Sequence, residues 1–405
     1  MDTRVIFRSL DHKNYRLFFS GQAVSLIGTW MQMVAMSWLV YRLTNSAFLL
    51  GLVGFANQIP SLLLTPFTGV VADRFNRHKI LIVTQTCAMV QALTLALLTL
   101  TNTARIEIVI LLGFILGVIN AFDGPARQSF VVEMVERRED LPNAIALNSF
   151  LFNGARLVGP SIAGVLIASI GEGGCFLVNG LSFIAVIAAL LAMTTTYSLN
   201  KIEHPPFWYH FKEGLHYAYS DRRIRNILLQ IAIVSIAGYS YSTLMPIVAK
   251  QVLHGGAHTL GYLLGAAGFG AVSGAIYMAS RTSPKGVEKI IPFAPGLLGL
   301  SLIALSFSHL FPVSLVIMAG VGFSMMLQMS SSNTYLQTTV EDEKRGRVMS
   351  LYTLSFMGMA PFGSLASGTM AHHIGVLNTL MIGGVVCLLS SFIAFNLSRG
   401  VASKA

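Results

Sequence analysis

The sequence predicts an all-α membrane protein whose twelve transmembrane helices form two six-helix bundles related by a pseudo-symmetric repeat. Three observations carry this. Of the 405 residues, 54% are hydrophobic and only 11% charged, a balance foreign to a water-soluble domain. Apolar stretches of ~20 residues, long enough to cross a bilayer, recur along the chain between short polar connections. A glycine triplet, Gly154, Gly159 and Gly164, returns with the same spacing as Gly358, Gly363 and Gly368, 204 residues later.

The polar N-terminus (Arg4, Arg8, Asp11, Lys13, Arg16) runs straight into the first full-length span, so no cleavable signal peptide is expected. The first six spans read 16–42, 47–72, 79–101, 106–130, 142–170 and 174–196. The second six read 226–252, 259–281, 287–308, 311–338, 347–373 and 375–398. The longest polar segment, 198–225, separates an N-terminal bundle (1–197) from a C-terminal one (226–405). Within it, "FWYHFKEGLHYAYSDRRIR" alternates aromatic and charged residues, the pattern of an interfacial helix on the inner membrane surface.

The formal net charge of +10 is a matter of topology. Lys and Arg cluster at the N-terminus, at 74–79, 137–138, 201–225, 281–289 and 344–347, and at the C-terminus, in every second connection. The opposite connections hold only Arg42, Arg105 and Lys250. The positive-inside rule then places both termini in the cytoplasm of a bacterial inner membrane, with no nucleic-acid partner implied. Cys87, Cys175 and Cys387 have neither pairing nor metal spacing. His210, Glu213 and His216 have helical spacing that a metal would accept, but a wet amphipathic surface is the simpler reading, so no metal or cofactor is assigned. A phosphate loop, an HExxH motif, paired cysteines and an Asp/Glu pair within the spans are all absent, which argues against an enzyme.

Polar residues inside the spans recur at helical spacing. Span one carries Gln22, Ser25, Thr29 and Gln32; span two Asn57, Ser61 and Thr65; span four Asn120, Asp123 and Arg127; span five Ser149, Asn153 and Arg156; span ten Gln328, Ser332 and Tyr335; span seven Tyr239 and Tyr241. Polar atoms facing lipid have no partner, so these faces are expected to point into the bundle or a watery cavity. Candidate substrate contacts are Arg156, Gln32, Asn57, Asn120, Asn153, Tyr241, Gln328 and Tyr335. Interhelical glue is the competing reading for each Asn, Gln, Ser or Thr. Asp123 and Arg127, one turn apart near the expected cytoplasmic end of span four, suit a structural and gating role better than substrate contact.

Arg156 lies some 14 residues, ~20 Å of helix, from either end of its span. Insertion scales put a mid-helix arginine at roughly 2.5–3.5 kcal/mol unfavourable, so it needs a partner. Two remain open: an ion pair with Asp123, or an anionic ligand gripped by the guanidinium fork. The repeat position is Ala360, so the architecture itself does not require the charge.

The cytoplasmic connection between spans two and three reads "GVVADRFNRHK" (69–79), a Gly followed four residues later by Asp-Arg and a basic cluster. This resembles the signature loop of the major facilitator superfamily, with Asn76 where a Gly is usual. Ala155, Gly159 and Pro160 are similar to the motif that family's exporters carry on span five. "PARQSFVVEMV", "DLPNAIALNS" and "ARLVGP" resemble the enterobactin-exporter-like branch of siderophore and drug exporters. The resemblance implies that Asp73 caps the start of span eleven near Arg347–Ser350, that Arg77 reaches Asp123, and that Arg74 contacts the surrounding loops. The expected function is alternating-access export of a small, anionic, siderophore-like molecule by a monomer, with protons as coupling ion and Asp123 as the embedded carboxylate. An importer, a lipid transporter and a broad drug efflux pump are the alternatives on the same fold.

Overall fold

A computed structural model of the chain describes residues 7–194, 207–281 and 286–402. All regular elements among them are helical. The first four, α1 (Lys13–Thr44), α2 (Ala47–Arg74), α3 (Arg77–Leu100) and α4 (Ile106–Met134), follow the expected spans. A single run, Leu141–Leu191, comes next and bends at Gly171, whose φ of 72° and ψ of 175° suit only a residue without a Cβ. We number its arms α5 (141–170) and α6 (172–191), so spans five and six meet at one glycine instead of a loop. Among the described residues, with that run counted once, eleven helical runs are long and apolar enough to cross a membrane; its two arms make twelve.

In the polar segment, 198–206 lie outside the described residues, and α7 (Phe207–Ser220) is the helix expected there. Two spans expected to be continuous are broken. The seventh is α8 (Arg222–Ala237), a turn at 238–240, then α9 (Tyr241–Ile247) and a π-helical turn, Val248–Val252. Ser240 Oγ takes the Ile236 carbonyl at 2.6 Å, and Pro246 has no N–H to continue the ladder. Beyond them run α10 (Ala257–Ala279), α11 (Val287–Ser306) and α12 (Phe311–Thr339). The eleventh span begins early, as α13 (Asp342–Thr353), widens into a π turn at Leu354–Gly358, and resumes as α14 (Ala360–Ile374). Pro361 cannot donate to the carbonyl four residues back, which accounts for rewinding at that point. α15 (Val376–Ala402) ends the fold.

The chain forms two compact units, Met1–Leu43 with Ala56–Glu203, and Thr44–Phe55 with His204–Ala405; the start of α2 thus groups with the second unit. In the first unit, Tyr15, Phe18, Leu81, Phe130 and Leu190 are fully buried in one apolar cluster, with the Phe18 and Phe130 rings edge to face. The residues before α1 are clasped to the entrance of α5. Arg8, His12 and Arg137 all reach the buried Asp140 carboxylate, at 3.2, 3.0 and 3.2 Å. Ser9 donates from both its N–H and its hydroxyl to Asn143. His12 Nδ1 accepts the Glu136 N–H at 3.3 Å, so it is Nε2–H that donates to Asp140.

A polar layer crosses the middle of this unit. Gln32 on α1 donates to Gln91 Oε1 on α3 at 2.9 Å and accepts from Asn179 Nδ2 on α6 at 2.6 Å. Gln91 goes on to donate to the Leu112 carbonyl on α4 at 3.2 Å, and the Ser182 hydroxyl reaches Asn179 Oδ1. Gln32 is 3% exposed. Its expected place as a cavity-lining contact is therefore corrected: both ends of its amide are used inside the bundle. α1 can come this close to α6 because Gly28 has no side chain beside Asn179 and Ser182.

The glycine repeat has a counterpart in each unit. A Cβ on Gly159 would lie 2.6 Å from Trp30 Cβ, so α5 rests directly on α1. A Cβ on Gly363 would lie 2.7 Å from the Ile236 carbonyl, so α14 rests directly on α8, the first helix of its own bundle's spans. In the second unit two further pairs bring backbones into contact. Gly270 faces the Ala319 carbonyl while Gly322 faces that of Ala267, joining α10 to α12; Gly299 faces Gly384, joining α11 to α15.

Two stability effects follow. Gly322→Val should destabilise the protein by about 3 kcal/mol, because a backbone has to move to admit the side chain; thermal unfolding in detergent checks it against Gly154→Ala, where a Cβ meets open space. Gln91→Leu should cost roughly 1–2 kcal/mol by orphaning the Gln32 amide, read as a lowered midpoint of chemical unfolding.

Candidate functional site

The first unit holds an arginine with nothing from the described residues to neutralise it. Arg156 is half-buried on α5, and its guanidinium carbon sits 5.8 Å from the centroid of the Trp30 ring. The Trp30 ring is itself fixed by Phe152, edge to face at 5.7 Å. The geometry follows from local sequence. Gly159 draws α5 onto α1 at Ile27–Met31, and Arg156, three residues earlier on nearly the same face, is laid over the ring one turn away. No carboxylate among the described residues lies within ion-pair distance of Arg156.

Asp123 is engaged elsewhere. Its Oδ1 accepts from Thr84 Oγ1 at 3.0 Å and Gln85 Nε2 at 2.7 Å, and its Oδ2 faces Arg127 Nε at 3.4 Å. Three groups from α3 and α4 thus compensate one buried carboxylate. The alternative of an Asp123–Arg156 ion pair is not what forms. Arg77 also differs from expectation: it donates to Glu133 at 2.5 Å, ten residues or about 15 Å of helix beyond Asp123. The longer, more exposed Glu133 lies nearer the loop that carries Arg77, which explains the choice. Arg74 is exposed at the end of α2. The Asp73 side chain lies outside the described residues. At the start of α13, where the Asp73 cap was expected, Arg347 donates to Glu213, and Gly214 admits the Arg347 side chain against α7. That pair also occupies one of the three residues considered for a metal. The His210 side chain lies outside the described residues, and no group of three potential ligands is found among the described ones.

The other candidates divide by whether their polar atoms are used. Asn57 is half-buried with its Oδ1 enclosed and without a hydrogen-bond partner, on a stretch of α2 that touches α4 at Gly117. Asn120, one turn further along α4, is exposed. Asn153 returns its amide N–H to the Ser149 carbonyl, 2.9 Å away on its own helix. In the second unit Gln328 is 2% exposed; its Nε2 reaches Ser332 at 3.4 Å while its Oε1 has no partner. Tyr241 is buried, and Tyr335 is half-buried against the cluster around Leu336, Val348 and Tyr352. Tyr239 reaches the Met325 carbonyl at 3.3 Å and packs edge to face on Phe356 in the π turn, 4.8 Å between centroids. Trp30, Gln91 and Asn179 are the residues the sequence reading passed over. Asn179 and Ser182 at a three-residue step, and Thr84 with Gln91 at a seven-residue, two-turn step, were the available signals.

Arg156 can hold an anion or an electron-rich ring face; each unit, taken by itself, also carries a lone amide acceptor, Asn57 in the first and Gln328 in the second. Comparison with known proteins agrees with the fold. In Staphylococcus aureus, a staphyloferrin A transporter is 25% identical over 391 residues, covering 96% of this chain and 97% of that protein. Macrolide efflux protein A of Streptococcus pyogenes is 23% identical, over 93% of this chain and 95% of its own. The multidrug efflux pump Tap of Mycolicibacterium fortuitum is 24% identical, with 92% of each chain covered. Among solved structures, a bacterial homologue of the human lysosomal transporter Spinster, inward-facing and unoccupied, aligns over 95% of this chain and 96% of its own with a TM-score of 0.74 at 16% identity. The human organic anion transporter MFSD10 aligns over 94% and 99% with a TM-score of 0.64 at 13% identity. These are membrane transporters, not enzymes. The model of the transmembrane secretion effector family matches residues 6–403, and the chain belongs to that family within the major facilitator superfamily.

Proposed function

We propose that the protein is a carrier that exports a small, anionic, siderophore-like molecule across the bacterial inner membrane, exposing its cargo site to the two sides in turn and drawing on the proton gradient. One observation carries the choice of cargo: Arg156 is half-buried over Trp30 with no carboxylate beside it among the described residues. A guanidinium in that setting selects carboxylate, phosphate or catecholate oxygens and rejects cations. Trp30 presets its plane, which reduces the ordering left to the cargo. Asn57 Oδ1 and Gln328 Oε1, both enclosed without partners, are the proposed acceptors for cargo hydroxyl or amide groups.

Siderophore export is supported by similarity to a staphyloferrin A transporter, and the outward direction by similarity to efflux proteins. A broad drug efflux pump is the second reading, favoured by the macrolide and multidrug relatives. The basic clusters support cytoplasmic termini, and the two complete six-helix sets within one chain support a monomer. For coupling, Asp123 is the candidate proton carrier, released from Arg127 when protonated.

Arg156→Ala should weaken binding of an anionic siderophore by at least tenfold, about 1.4 kcal/mol, while Arg156→Lys keeps part of it as a point charge. Equilibrium binding to the purified protein checks this; unchanged affinity in Arg156→Ala, or equal affinity for cationic drugs, removes the anion reading. Asp123→Asn keeps the shape and the hydrogen-bond acceptor but cannot titrate. In proteoliposomes it should abolish the acceleration of transport by a pH gradient and leave counterflow intact; acceleration at the native level places coupling elsewhere.

A further inference from the structure

The second unit contains a cavity of about 920 Å³, open at its surface, between the ends of α10 and α11 and the sides of α12 and α15. None of the proposed cargo contacts lines it. Its two cations, Arg281 and Lys289, stand at the end where α10 finishes and α11 begins, with Tyr277 beside Arg281. Below them the walls are apolar, including Phe293, Phe323 and Leu327.

Order along α11 gives the cavity a direction. Lys289, Phe293, Leu297 and Leu300 are spaced by four, four and three residues, so they share one helix face. Along this stripe Phe293 is 61% exposed and Leu300 57%, with the Phe395 ring edge to face against Phe293 at 5.6 Å between centroids. From Lys289 to Leu300 is eleven residues, about 16 Å of helix, close to the ~15 Å hydrocarbon depth of one leaflet. The wall behind the stripe is rigid. Ser391 on α15 donates to the Pro292 carbonyl at 2.6 Å, and the Gly299–Gly384 contact holds the same two helices together a few turns on. Glu288, in the first turn of α11, is turned to its own helix start, where it accepts the Gly286 N–H at 3.0 Å.

We propose that this groove is a binding site for one anionic phospholipid, its phosphate between Arg281 and Lys289 and one acyl chain along the Phe293–Leu300 stripe. A cationic rim above one leaflet's depth of exposed apolar wall matches that amphiphile in both charge and length. A zwitterionic lipid would present its own cation to the same rim, and a soluble phosphate would leave the stripe unused.

Native mass spectrometry of the full-length protein tests this with phosphatidylglycerol, phosphatidylcholine and glycerol 3-phosphate as probes. Phosphatidylglycerol should be retained at least tenfold better than phosphatidylcholine, and millimolar glycerol 3-phosphate should not displace it. Arg281→Gln combined with Lys289→Gln should erase the preference. A Phe293→Trp variant gives a second reading that needs no charge substitution: corrected for the native tryptophans, it should be quenched more by brominated phosphatidylglycerol than by brominated phosphatidylcholine. If the double variant does not fold, Lys289→Gln alone, on an exposed side chain, should still reduce the preference severalfold. Equal retention of the two lipids, displacement by glycerol 3-phosphate, or equal quenching of the added tryptophan would each overturn the assignment.

Discussion

Hydrocarbon offers no hydrogen bonds, so every polar atom placed within the membrane must be answered by another part of the chain, by trapped water or by a ligand. The first unit answers most of them internally. Gln32, Gln91 and Asn179 close a network that draws on four helices, and Asp123 collects a hydroxyl, an amide and a guanidinium from two. The satisfied groups fix which helices are neighbours and in which register. Among the buried polar atoms left without a partner in the described residues, an asparagine oxygen and a glutamine oxygen lie on the polar stripes of the spans, and the half-buried Arg156 guanidinium stands beside a ring instead of a carboxylate.

The second constraint is closeness. Helices in a bilayer gain little by sheltering apolar surface from lipid, so they associate where small residues let backbones touch. Glycines serve that end at α5 on α1, α14 on α8, α10 on α12 and α11 on α15. The first two contacts come from equivalent positions of the internal repeat, so the repeat is visible as packing and not only as spacing. Where the chain instead needs freedom, it uses proline and widened turns: both irregular spans, the seventh and the eleventh, carry π-helical segments. Such segments keep the helix continuous while shifting its face, which suits spans that must bend.

Much of the architecture was legible because it follows from one-dimensional signals. Hydrophobic length marked the spans, alternating basic loops marked the sidedness expected of them, and the glycine offset marked the repeat. Breaks within spans were harder to see. Ala237 and Leu354 look like ordinary helix interior; the first interruption is marked by the Ser240 hydroxyl on the Ile236 carbonyl, the second by Pro361 seven residues on. Candidate site residues stand out in the sequence as polar stripes, but a stripe says only that a face avoids lipid. Whether Gln32 faces a cavity or Asn179 depends on Gly28, a position whose meaning appears only once a neighbour is placed beside it. Arg156 was conspicuous in sequence as a charge out of place. Its ring partner was not, since a tryptophan in an apolar span is unremarkable until the glycine that brings it near is recognised.

The clasp between the chain's first residues and Asp140 imposes an order on biogenesis. Arg8, Ser9 and His12 find their partners at Glu136–Asn143, more than 120 residues later, so that end of α1 has no seat when it leaves the ribosome. Four helices must be threaded into the membrane before the seat exists. Until then α1 is held only by its hydrophobicity and its flanking cations, and the insertion machinery has to tolerate an N-terminus that is anchored late.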